Sequence, residues 1–262
     1  DAINASGGMP SYDDFQAKLD FKSNVYNTFS LLTIIGGSLY QRDKNGAKEV
    51  GEDRYGELKN NQTTIGFNYK RIWNKKSYSN TSFSYSQQSS TANFLNNISD
   101  STVFKNIEKT KVKNVRQINH LKLNQNLNLE FGFDFQNTSI GYNYFRKLPE
   151  SNPFLKEIAF YEDVLINNYA AFITIKNNIS ERLILSAGLR LDQNDYEKIN
   201  LYSPRLNIDY EVFRGKTNLI LNIGKYHQNP PGIYVANDIS KVLKSVKAFQ
   251  YSLNLEQMIT PS

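Results

Sequence analysis

The chain contains no cysteine and only two histidines, His120 and His227. The first absence excludes a disulfide framework and thiolate metal centres, and it leaves the compartment open. The second leaves too few imidazoles for a histidine-based metal cluster, so no metal or cofactor is expected. Neither histidine has a nucleophilic serine beside it in a recognisable arrangement, which argues against a barrel phospholipase and against an enzyme generally. No run of about 18 apolar residues exists, so no transmembrane helix is expected. The N-terminus, DAINASGGMP, has neither the basic nor the apolar region of a signal peptide. The expectation is a mature chain or one that starts inside a longer protein. A dense basic block is missing too: the net charge is 31 − 25 = +6, with Lys and Arg scattered among acids. Nucleic-acid binding requires a concentrated patch and is not expected.

What the chain does have is aromatic residues, 13% of the total with 17 Tyr and 16 Phe, at a mean hydropathy of −0.55. Disordered chains are poor in such residues. They recur at a period of two, which is the strand signal. In LNLEFGFDF, Leu127, Leu129, Phe131, Phe133 and Phe135 oppose Asn128, Glu130, Gly132 and Asp134. In RLILSAGLRLD the apolar parity is Leu183, Leu185, Ala187, Leu189 and Leu191, against Ser186, Gly188, Arg190 and Asp192. YSPRLNIDYEV sets Pro204, Leu206, Ile208, Tyr210 and Val212 against Ser203, Arg205, Asn207, Asp209 and Glu211. Helical periodicity is nowhere sustained.

Eleven strands are expected, near 13–22, 28–40, 58–72, 78–90, 112–123, 127–137, 166–176, 182–192, 202–212, 216–226 and 248–258. Each has about the length of a tilted strand that crosses a bilayer. Their connections alternate short and long, with long ones expected near 42–57, 91–111, 138–165, 193–201 and 227–247. Outer-membrane barrels have this arrangement, with short periplasmic turns and long external loops. A soluble β-sandwich or surface adhesin, the alternative, has no reason to put every long loop at one end. Two aromatic girdles are expected, Tyr26, Trp73, Tyr78 and Phe213 beside short turns, and Tyr40, Tyr142, Tyr144, Tyr196 and Tyr202 towards the long loops. An odd strand count conflicts with a closed single-chain barrel, so residues 1–262 are expected to be part of one.

YSPRLNIDYEV followed by TNLILNIGKYHQNPP resembles the strand pair of TonB-dependent outer-membrane receptors, in which S-P-R-L leads into a strand ending G-x-Y-x-Q-x-P. LKSVKAFQYSLNLE is similar to that family's L-K-P-E-x-A-x-Q-Y-E-x-G-L-E segment: Leu243, Lys244, Ala248, Gln250, Tyr251, Leu255 and Glu256 match. Ser245 stands where the pattern has Pro, and Val246 and Ser252 where it has acids. AGLRLDQNDY resembles the preceding G-x-R-x-D strand, and PSYDDFQAKLDFK a strand that follows the plug.

The resemblance implies an all-β chain, an antiparallel transmembrane β-barrel of which about eleven of 22 strands are present, in the outer membrane of a Gram-negative bacterium. It implies uptake of a scarce small molecule of the ferric siderophore, cobalamin or glycan class. The partners it implies are the TonB complex, acting through a plug domain absent from residues 1–262, and outer-membrane lipid with lipopolysaccharide. Arg190, Arg205, Asp209, Glu130 and Asp134 fall on the polar parity and are expected to face the lumen, the arginines pairing with carboxylates such as Asp192 or Asp209. Tyr226 and His227, at the mouth of a long connection, are candidate substrate contacts. The polar loops NGAKEVGEDRYG, SDSTVFKNIEK and LPESNPFLKEI would face the exterior without identifying a substrate.

Overall fold

The computed structural model describes residues 8–148, 156–237 and 243–259. Eleven strands form one antiparallel sheet in which every strand pairs with its sequence neighbour: β1 (Met9–Asn24), β2 (Asn27–Arg42), β3 (Arg54–Asn74), β4 (Ser77–Asn96), β5 (Thr102–Lys122), β6 (Leu127–Lys147), β7 (Glu157–Ser180), β8 (Leu183–Asn194), β9 (Asn200–Phe213), β10 (Thr217–Gln228) and β11 (Val246–Gln257). All eleven expected strands are present. Two six-residue helices, α1 (Lys44–Glu49) and α2 (Gly232–Asn237), interrupt the connections and are too short to show a period in sequence.

The short turns follow from local carboxamide chemistry. Asn24 Oδ1 accepts hydrogen bonds from the Tyr26 and Asn27 amides at 2.9 and 3.0 Å. Asn74 accepts one from the Lys76 amide at 2.7 Å, and Asn124 accepts from Asn126 and Leu127, both at 2.9 Å. These Asx turns reverse the chain without a long loop. At the β9–β10 turn Gly215 takes φ +64°, the left-handed conformation that glycine adopts without penalty, and its amide donates to Glu211 Oε1 at 2.6 Å.

At the other end the expectation of long loops is corrected. The β4–β5 ladder runs on to Asn93↔Lys105 and Phe94↔Phe104, and the β6–β7 ladder to Lys147↔Glu157. Most of 91–111 and much of 138–165 is therefore strand. These extensions have polar residues on both faces, so the apolar alternation that marks a membrane strand disappears while the backbone ladder persists. The segment 149–155, which includes most of the loop LPESNPFLKEI, lies outside the described residues, as do both chain ends.

The register sorts side chains onto two faces. One carries Phe15, Leu19, Phe21, Leu31, Ile35, Phe67, Phe83, Phe131, Phe133, Ile173, Leu189, Leu253 and Leu255, each 36% or more exposed. Among the described residues no large side chain is fully buried. A sandwich buries its apolar parity between two sheets; this sheet leaves that parity open, which disposes of the soluble alternative. No helix among the described residues is long and apolar enough to cross a membrane, which says nothing of strands.

Four expected girdle positions are also corrected. Trp73 and Tyr202 do lie on the apolar face, 58% and 51% exposed. Tyr78, however, stacks on His120 across the polar face, with ring centroids 4.2 Å apart, and Tyr40, Tyr142 and Tyr144 share that face's parity. The upper apolar border is formed instead by Tyr85, Phe135, Tyr169 and Tyr202. Position along the chain does not decide a girdle; strand parity does.

Gly132 shows how tightly the wall packs. A Cβ built there would lie 2.0 Å from the Gln117 carbonyl oxygen and 2.8 Å from Cζ of Phe172, whose ring covers the bare backbone. Gly132→Val is expected to cost about 1–3 kcal/mol through overpacking, seen as a lower midpoint of heat- or urea-induced unfolding in detergent micelles. A spin label at position 129 of the intact protein should report lipid, and one at position 130 water. Water at both positions would contradict the assignment of the two faces.

Candidate functional site

On the polar face the register brings together four charged residues from three strands. Asp134 on β6 is level with Arg116 on β5, and through Ala170 on β7 it is level with Asp192 on β8. Arg190 Nη1 donates to Asp134 Oδ2 at 2.6 Å, and its Nε donates to Asp192 at 2.9 Å. Arg116 Nε lies 3.2 Å from Asp134 Oδ1, and its guanidinium stands 5.7 Å from the centre of the Phe172 ring. Asp134 is the least exposed carboxylate of the group, with its side chain 19% exposed, and two cations share it. Alternating signs laid across adjacent strands cancel much of the repulsion that like charges on one face would carry.

The remaining expected residues are placed as follows. Glu130 stands opposite His120, with 3.3 Å between carboxylate and Nδ1, and Lys70 caps the Tyr78 ring at 4.9 Å. Arg205 and Asp209 share the polar parity, but Asn207 lies between them, and two such steps span about 13 Å of strand. The anticipated Arg205–Asp209 pair is therefore not formed. Arg205 instead stacks over the Tyr226 ring at 4.8 Å, so Tyr226 is already engaged within the wall.

At His227 the fold brings in a serine from the neighbouring strand. The His227 Nδ1 lies 3.0 Å from Ser203 Oγ, a serine–histidine contact that sequence separation concealed. Ser203 is only 2% exposed, and among the described residues no carboxylate hydrogen-bonds to the imidazole. The pair has neither access for a carbonyl substrate nor the third group that orients a base.

Two further arrangements lie towards the long connections. Asn229 accepts from Asn194 at 3.2 Å and from the Ser245 hydroxyl at 3.0 Å, and it donates to Asn168 at 2.7 Å. Glu197 accepts from the Ser245 amide at 2.7 Å and also from its hydroxyl. This polar lock ties the β10–β11 connection to β7 and β8. On the other flank, Lys44 Nζ and the Tyr55 hydroxyl donate to Asp100 at 2.6 and 3.0 Å, joining α1 to the β4–β5 turn. These bonds, Lys44 first, hold the Asp100 carboxyl below its usual pKa range. The contribution of that clamp is present above the ordinary carboxylate range and is lost as pH falls below it.

Beside the Asp100 clamp, and lined in part by Ile98, Ser99 and Ser101, opens a cavity of about 1070 Å³. Its polar-face lining includes Tyr40, Arg42, Arg54, Phe94, Phe104 and Arg146, with Glu52 and Asp53 at the rim. Nothing in the sequence announced this convergence, because its residues come from β2, β3, β4, β5 and β6. The signal that could have found it is parity: all six of these polar-face residues lie on even positions of their strands.

A search of curated protein sequences gives no match. The chain superposes on the outer-membrane transporter YddB from Escherichia coli with a TM-score of 0.72 at 11% identity, covering 95% of this chain and 38% of that one. The copper transporter OprC gives a TM-score of 0.70 at 13% identity, with 95% of this chain and 42% of the other covered. The ferric citrate transporter FecA in its unliganded form gives 0.68 at 14% identity, with coverages of 95% and 41%. The chain thus spans about two fifths of the length of these structures. A sequence model described as TonB dependent receptor-like, beta-barrel, matches residues 4–259. The open eleven-stranded sheet is about half of such a barrel, and with one polar face, one apolar face and that match across nearly its whole length, the chain belongs to the TonB-dependent receptor β-barrel family of the Gram-negative outer membrane.

Proposed function

We propose that this half-barrel forms one side of a receptor that takes up a scarce, anionic small molecule, with ferric siderophores the best-fitting class. Energy would come from the TonB complex pulling on a plug domain seated against the polar face, and further strands would complete the wall. The observation that carries the substrate reading is the cavity at the long-connection end. It gathers Arg42, Arg54, Arg146 and Lys147 against only Glu52 and Asp53, between the rings of Tyr40, Phe94 and Phe104. Such a lining suits a ligand that combines negative charge with planar groups, since guanidinium forks bind carboxylates and phenolates and aromatic faces provide dry contact. Cobalamin and neutral glycans have less use for an excess of cations. Ferric citrate and ferric catecholates are named for several of the similar structures, which supports the same class.

The ladder of Arg116, Asp134, Arg190 and Asp192 has a different role in this reading. It stiffens the wall and presents a patterned surface to the plug, while the substrate is captured above it. A transport role calls on no catalytic group, and the buried Ser203–His227 contact is read as structural.

Two measurements test this division of labour. Arg54→Ala and Arg146→Ala in the complete receptor should each raise the Kd for a ferric siderophore about tenfold or more, the scale of a lost charge-assisted bond, read by quenching of intrinsic fluorescence. Unchanged binding of a panel of ferric siderophores would remove the cavity from the mechanism. Asp134→Asn should instead leave Kd within about twofold while costing about 1–2 kcal/mol of stability. That cost is reduced from the value for a fully buried pair because Arg116 is half exposed.

A further inference from the structure

At the short-turn end of the polar face a second cavity, of about 560 Å³, reaches from β3 to β8. Its lining includes Lys70 on β3, Lys122 on β5 and Lys176 on β7, together with Lys75 and Lys76 of the β3–β4 turn. Lys122 and Lys176 stand level on either side of Asn128, two strand spacings or about 10 Å apart. One step along the strands, Tyr78, His120, Glu130 and Thr174 form a row across four strands. Lys70, Lys122 and Lys176 are exposed, and among the described residues none of them forms an ion pair. Among the described lining residues Glu130 is the one carboxylate, and it already faces His120 at 3.3 Å. The nearest others on the strands of this face are Asp20, beside Lys70, and Asp209, beside Lys176. Each is two strands and one step away, about 12 Å from backbone to backbone. Asp20 is in addition held by Lys18 at 2.9 Å.

Charge thus changes along this face in three zones. Arginines gather at the long-connection end, the ladder of Arg116, Asp134, Arg190 and Asp192 is balanced, and lysines gather at the short-turn end. An anion that leaves the upper cavity crosses a neutral belt before it meets cations again. The two ends also differ in chemistry: arginine forks impose a fixed geometry, whereas lysine ammoniums are flexible point charges that attract an oxyanion without directing it. The one large ring of the lower cavity, Tyr78, is already taken by His120, with ring centroids 4.2 Å apart, and by the Lys70 ammonium at 4.9 Å. The lower cavity therefore selects for negative charge and offers no free aromatic face to a planar group.

We infer that Lys70, Lys122 and Lys176 form a second oxyanion site, one that holds the carboxylate or phenolate oxygens of the transported anion on its way out at the short-turn end. The exit role rests on the transport reading and deepens it by adding a station below the capture site; the oxyanion site itself rests only on this cavity. Directional arginines above hold the ligand firmly, and mobile lysines below hold it loosely enough to let it go.

The test uses the complete receptor in detergent, with lysine acetylation read residue by residue by mass spectrometry and citrate, a compact tricarboxylate, as the probe. Citrate should slow the labelling of Lys70, Lys122 and Lys176 at least about threefold and leave Lys109 and Lys111 on the opposite face unchanged. Unaltered labelling of the three would overturn the site. So would equal protection by sodium chloride at matched ionic strength, which would be general screening. Lysines already unreactive without citrate would show that the plug fills the cavity and overturn the small anion as occupant. Arg54→Ala with Arg146→Ala should keep the protection, which separates this site from the upper cavity. The exit role has its own readout. In cells, the triple variant Lys70→Gln, Lys122→Gln and Lys176→Gln should lose at least about threefold in maximal uptake of the ferric siderophore that the parent transports, since a cation-lined cleft concentrates anions. Its Kd should stay within about twofold, and its heat-modifiable gel shift should remain that of a folded barrel. Undiminished uptake by the folded variant would overturn the exit role. A parent that binds no ferric siderophore at all would remove the transport reading and the exit role with it, while citrate protection would still decide the site.

Discussion

A backbone amide or carbonyl inside hydrocarbon has no water to turn to, and each one left unpaired costs several kcal/mol. The remainder of this structure depends on that constraint. It accounts for a sheet in which every strand pairs with its sequence neighbour and in which asparagine side chains occupy the amides of the tight turns. It also bears on the two edges. The strands β1 and β11 pair on one side only among the described residues, and β11 is exposed along its whole length. An edge of that kind can sit in a bilayer only where other strands cover it.

Strand existence was legible because the membrane imposes a strict period of two. Leu129, Phe131, Phe133 and Phe135 could face only one way once Glu130 and Asp134 faced the other. The period stops where the wall leaves the bilayer. From Gln87 to Asn96, and again from Asn137 to Lys147, both faces meet water, so polar residues occupy both parities while the ladder continues unbroken. A reading based on alternation cuts such strands short and reports the remainder as loop. The two short helices escape for a related reason. Their stability comes from local contacts, such as the Gly46 amide held by Asp43, and from docking, as where Gly232 lies against Ile140 and Tyr142.

The candidate site was legible in part. Parity groups Arg190, Arg205, Asp134 and Asp209 on one face, but partnership depends on distance across strands. Asp134 lies far from Arg190 in sequence and 2.6 Å from it in space, whereas Asp209, four residues from Arg205, is out of reach. The same rule explains Ser203 and His227, and it explains the cavity, whose basic and aromatic lining is drawn from five strands. Contacts of this type follow from register, and register is a property of pairs of strands that no single segment contains.

The departure at Ser245 is the one place where a mismatch with the family pattern acquires a physical meaning. Proline at that position would stiffen the entry into β11, and it would have no amide proton. Here the Ser245 amide donates to Glu197, and its hydroxyl reaches Glu197 and Asn229, which in turn holds Asn168 and Asn194. The connection is therefore fastened by a hydrogen-bond network and not by restricted backbone torsion. A network of that kind opens when its partners separate, without any change in the ladder beneath it. The long connection between β10 and β11 is thus tied to the rim by bonds that are individually weak and jointly cooperative, next to the strand end that carries Tyr226 and His227.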